Sequence, residues 1–106
     1  MAHTIPESDW KLLGKLRPLA LERMCQRVLD EIGAIAAEPK SSHERYLEIY
    51  ALTRKHDNEI ADGFNDVRRS TAYLGLAAMR SLKLISDEEF SGFSKETQDV
   101  LKFMLG

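Results

Sequence analysis

Apolar residues recur at intervals of three and four along nearly the whole chain, and no stretch alternates apolar and polar positions while being rich in Val, Ile and Thr. That pattern predicts helices and no sheet. The first helix is expected from Ser8, a good N-cap, with Asp9 in the first turn and Trp10, Leu13 and Leu16 on one face. Pro18 disfavours helical geometry at Arg17 and removes a backbone donor, which predicts a second helix with Pro18 at its first position, running to about residue 37. Leu21, Met24 or Cys25, Val28, Ile32 and Ile35 form its apolar stripe.

The run Glu38-Pro39-Lys40-Ser41-Ser42 reads as a tight loop, with a serine capping the next helix. From His43 to Leu84 helical periodicity continues without a proline. Unbroken, residues 42–84 would span roughly 60 Å at about 1.5 Å per residue, more than one copy of so short a chain can cover. The expectation is therefore either a second copy against it or a bend or break near Gly63, Asn65 and Asp66, where glycine weakens a helix and Asn or Asp caps a new one. Ser86 and Glu89 have capping-box spacing, Gly92 stops the short helix that follows, and Ser94 caps a last helix carrying Val100, Leu101 and Met104.

The fold class expected is all-α: a small bundle of about five helices, with the long stretch 42–84 and short C-terminal helices, in one domain over 1–106 with residues 1–7 frayed. A length of 106 residues allows one core and no second one. Hydrophobic residues at 43% and charged residues at 30% fit an ordinary globular chain, and no apolar run approaches the roughly 18 residues that span a bilayer. The N-terminal residues lack the pattern of a secretory signal, and one cysteine allows no internal disulfide; both point to the cytoplasm.

A net charge of −2 argues against electrostatic nucleic-acid binding, but charge is unevenly spread. Residues 10–27 and 63–85 are basic on balance, whereas 28–62 and the C-terminal end are acidic. Such alternation suits antiparallel helices with complementary flanks. Lys11, Lys15, Arg23 and Arg27 are the candidates for a nucleic-acid-binding stripe on the first two helices.

Glu59, Asp62 and Asp66 fall on one helical face, near His56 and Asp57, and are the candidates for a divalent-cation site. Paired helical spacing of Lys55 with Glu59 and of Asp66 with Arg69 describes the same residues as a solvated, ion-paired face. A helical hydrolase with carboxylate pairs three apart on facing helices finds only Glu59 and Asp62, because Glu44 and Glu48 are four apart. Repeated E-x-x-H, as in di-iron bundles, is missing, as are glycine-rich phosphate loops and zinc spacings. Cys25 lies in an apolar stripe and reads as a small core residue rather than a nucleophile.

Tyr46 and Tyr50, with His43, line one face, and tyrosine is enriched at interfaces. Asp57 and Arg68, eleven residues apart, flank the stripe of Ile60 and Phe64; too distant to touch on one straight helix, they can meet across a bend or between subunits, and the expectation is an interface ion pair. Interface candidates are thus Tyr46, Tyr50, Asp57, Phe64 and Arg68. The function expected is a non-catalytic interaction or regulatory module, a homodimer that also contacts another protein, with no cofactor. The alternatives are a cation-dependent hydrolase and a nucleic-acid-associated regulator.

Overall fold

A computed structural model describes residues 4–64 and 68–106. These form five α-helices and one 3-10 turn: α1 (Glu7–Ala36), α2 (Ser42–Phe64), the turn Arg69–Thr71, α3 (Ala72–Ser81), α4 (Asp87–Phe90) and α5 (Lys95–Leu105). Among the described residues there is no strand. The molecule is elongated, 55 × 26 × 25 Å.

Two expectations about α1 are corrected. Pro18 does not start a new helix; it sits inside a single 30-residue helix. An internal proline costs about 3 kcal/mol, but Leu13 and Leu16 before it and Ala20 and Met24 after it enter one core. Burying four such side chains stabilises more than the proline costs, at roughly 1.5–3 kcal/mol for each large one. Pro18 and Gly14, whose carbonyl loses the Pro18 donor, both lie on the exposed side. Nor does Ser8 cap the helix. α1 begins at Glu7 behind Pro6, without a side-chain cap, and Ile5 is buried in the core, so, against expectation, residues 5–7 are not frayed; residues 1–3 lie outside the described residues.

The long element is α1 and not 42–84, which breaks after Phe64. Gly63 is buried, and a Cβ there would meet the Ala78 Cβ at 3.6 Å, so the end of α2 lies close on α3. The Phe64 carbonyl accepts a hydrogen bond from Arg17 Nη2 at 3.3 Å, which satisfies one of the carbonyls orphaned at the helix end. Reversal brings Ala72, Leu76 and Met79 of α3 into the core against α1, burial that one straight helix would forfeit. Asn65 and Asp66, expected to contribute to a break, lie outside the described residues.

Locally encoded ends form as expected. Ser41 Oγ accepts from the Glu44 amide at 3.1 Å. Ser86 and Glu89 make a reciprocal capping box, and Ser94 accepts from the Thr97 amide. α3 ends with Lys83 in the left-handed region, φ 60°. Its amide donates to the Arg80 carbonyl and that of Leu84 to Met79, a helix stop that usually employs glycine.

Two regions result. In the head, the first two-thirds of α1, the end of α2, α3, α4 and α5 enclose Leu13, Leu76, Met79, Leu84 and Leu101, all fully buried. In the arm, the last third of α1 and most of α2 continue outward as a bare antiparallel pair joined by residues 37–41.

Candidate interaction surface

The arm, together with the adjoining stretch of α1 from Leu21, has one apolar side and one charged side. On α1, Leu21, Cys25, Leu29, Ile32 and Ala36 fall at intervals of three and four and share a flank; on α2, Tyr46, Tyr50, Thr53, Asp57 and Ile60 do the same. Because the helices are antiparallel, these flanks border one groove. Its middle is a depression of about 280 Å³ lined by Cys25, Val28, Leu29, Ile32, Thr53 and Asp57, among others. Further depressions continue it to Ala36, Tyr46 and Ile49 at the tip and to Gly14, Pro18, Leu21 and Phe64 at the head. Leu29 is 60% exposed, Tyr46 60% and Tyr50 54%. A single exposed leucine needs no explanation; several large apolar side chains left open along one groove are more than scattered exposure accounts for.

α3 and α4 cover the other flank of α1. Arg23 makes a two-pronged contact with Glu89, Nη1 to Oε1 at 2.7 Å and Nη2 to Oε2 at 2.9 Å, and also donates to the Leu84 carbonyl at 2.9 Å. Arg27 donates to the Leu82 carbonyl at 2.7 Å. The Arg23 guanidinium, together with the Ser86 amide, holds the Glu89 carboxyl down at about 2. Two of the four residues of the candidate basic stripe are thus committed to the head's own turns, while Lys11 and Lys15 are exposed.

His56 forms part of the groove floor. It is buried, and its imidazole lies between Glu31 of α1 and Glu59 of α2, each 3.5 Å away. Neither ring nitrogen has a hydrogen-bond partner among the described residues. Glu59, a candidate cation ligand, therefore turns to His56; Asp62 is exposed, and Asp66 lies outside the described residues. No group of three or more His, Cys, Asp or Glu among the described residues is arranged to hold a metal ion.

The interface candidates divide. Tyr46, Tyr50 and Asp57 lie on the apolar side. Phe64 is buried in the head and presents an edge to the groove. Arg68 is exposed beyond the end of α2, where its amide donates to Thr71 Oγ1 at 2.9 Å, so it shares no helix with Asp57. Periodicity missed Leu29, which it left outside the core stripe of α1, and took Cys25 for core although it is half-buried at the groove.

Sequence reading also missed Asp9, which is 2% exposed and joins the two ends of the chain. It accepts from the Ser94 amide at 2.9 Å, the Ser94 hydroxyl at 2.6 Å and the Thr97 hydroxyl at 2.5 Å. Burial pushes the carboxyl up, but the hydrogen bonds from Ser94 and Thr97 outweigh it, and its pKa lies below the ordinary value. Asp9 is a tertiary cap for α5, 85 residues away. Among the described residues no helix is long and apolar enough to cross a membrane. No protein-family model, curated protein or solved structure matches the chain.

Proposed function

We propose that the chain is a protein-interaction module whose working surface is the apolar side of the arm. The observation that carries the reading is the exposure of Leu29, Tyr46 and Tyr50, each more than half exposed, beside a groove whose middle is lined mainly by Cys25, Val28, Leu29, Ile32 and Ile60. Tyrosine suits this position because its ring is buried on contact while its hydroxyl keeps a polar partner. The compartment we propose is the cytoplasm, on the unbridged thiol of Cys25.

Photo-cross-linking inside cells tests the reading. A benzophenone amino acid at position 29 or 50 should yield covalent adducts with protein, whereas the same group at Lys55, on the charged side, should not. Equal yields from both sides, or none from positions 29 and 50, would remove the reading.

A further inference from the structure

We infer that the occupant of this groove is a second copy of the same chain, its arm laid antiparallel on the first so that the two heads lie at opposite ends of a four-helix bundle. The inference rests on the reading of the apolar side as a docking surface and adds the partner and its orientation.

Polar groups on that side are few and unevenly placed. Asp57 is the one carboxylate in the depression lined by Cys25 and Leu29, and it stands toward the head end; Arg17 at the head end and Arg45 at the tip border the same groove, donating to the carbonyls of Phe64 and Ala36. No hydrogen bond or ion pair engages Asp57 among the described residues. The donors His43, Tyr46 and Tyr50 stand toward the tip, and their side chains likewise make no hydrogen bond there. Arg54 adds a cation beside them, its guanidinium 5.9 Å from the Tyr50 ring centre.

A copy with its arm reversed sets α2 on α2. With the two-fold axis passing near Thr53 and Arg54, each Asp57 meets Tyr50 of the second copy, so carboxylate and hydroxyl pair twice by symmetry. A copy with its head at the same end sets α2 on α1 instead. Asp57 would then be buried against the apolar flank of Cys25 and Leu29 with no donor, a desolvated charge that costs several kcal/mol. The need of the Asp57 carboxylate for a hydrogen-bond donor therefore selects the reversed arrangement.

The size of the surface agrees. From Gly14 to Ala36 the groove runs about 33 Å, and two helices with their side chains are about 20 Å wide, roughly 650 Å² on each copy. A standard stable interface takes about 800 Å² from each partner. A single helix, about 10 Å across, would cover only about half the width. The third layer of the head, reached by Arg23 and Arg27, lies on the other side of α1 and does not obstruct a second copy.

Sedimentation equilibrium of the purified full chain tests the proposal, with an expected mass of twice 12.1 kDa at micromolar concentration. Leu29→Arg should weaken association roughly 100-fold or more while the circular dichroism spectrum stays unchanged, because the side chain is largely exposed in one copy. An independent measurement fixes the orientation. In a Cys25→Ser background, Thr53→Cys should form a disulfide between copies under mild oxidation, and Lys55→Cys should not. A monomer at high concentration, a dimer indifferent to Leu29→Arg, or a dimer without the Thr53→Cys disulfide would each overturn the proposal. A monomer that still gives cross-links to a different protein from position 50 would overturn only the second copy as partner. A monomer without such cross-links would overturn the docking surface as well.

Discussion

α1 runs through both the head and the arm with the same three-and-four spacing of apolar residues, yet the two halves have different fates. In the head its stripe meets α3 and the end of α2, and Leu13, Leu16, Ala20 and Met24 disappear from the surface. In the arm the stripe meets α2 alone; Val28, Ile32 and Ile35 are only partly covered, and Leu29 stands mostly in solvent. The difference lies in the number of layers, since two helices can bury only their facing stripes. What the head spends on stability, the arm leaves available for contact. Polar ties follow the same division: Asp9 with Ser94 and Thr97, and Arg23 with Glu89, lock the head, whereas Lys40 joins Glu38 and Glu48 at the exposed tip.

Truncation gives the largest test of that contrast. Leu13→Ala or Met79→Ala should destabilise the chain by about 2–5 kcal/mol in urea unfolding, through lost transfer energy and an unfilled cavity. Leu29→Ala should cost under about 0.5 kcal/mol under conditions that keep the chain monomeric, as for a surface position. Comparable losses at the two sites would erase the distinction between head and arm.

Acid should act on the head next. Asp9 and Glu89 both titrate below the ordinary carboxylate range when folded, Glu89 at about 2. Their stabilisation is therefore complete above the unfolded carboxylate pKa of about 4, and is lost as pH falls through the folded values. With the Arg23 side chain 44% exposed, solvent screening reduces the Glu89 share to about 1–2 kcal/mol. Hydrogen exchange should show α4 and α5 losing protection between about pH 4 and pH 2. Arg23→Ala should flatten the Glu89 part of this dependence; an unchanged pH profile in that variant would contradict the assignment.

The smallest effect concerns the end of α3. Lys83 occupies a left-handed conformation that costs a side-chain-bearing residue about 1 kcal/mol. Lys83→Gly should raise the thermal midpoint by a few degrees, partly offset by the greater freedom of glycine in the unfolded chain. A lower midpoint would show that the lysine side chain contributes more than its backbone costs.

What was legible beforehand is what neighbours in sequence decide. Helical class follows from periodicity, the loop at residues 38–41 from Pro39 and its serines, and the ends at Ser86 and Ser94 from side chains that reach amides three residues away. The interface candidates Tyr46 and Tyr50 were legible as an aromatic face, but periodicity carries no information about which face another element will cover. Pro18 shows the limit clearly, since its local cost favours a break and only the common burial of Leu16 and Ala20 overrides it. Asp9 shows it again: nothing near it in sequence reveals that its carboxylate caps a helix at the far end of the chain. The break after Phe64 depends on α3 finding α1, and the exposure of Leu29 on no layer reaching that far. The sequence by itself determined the helices and their ends through contacts a few residues long. Which stripes meet and which remain open was decided only by tertiary structure, because burial depends on residues far apart in the chain.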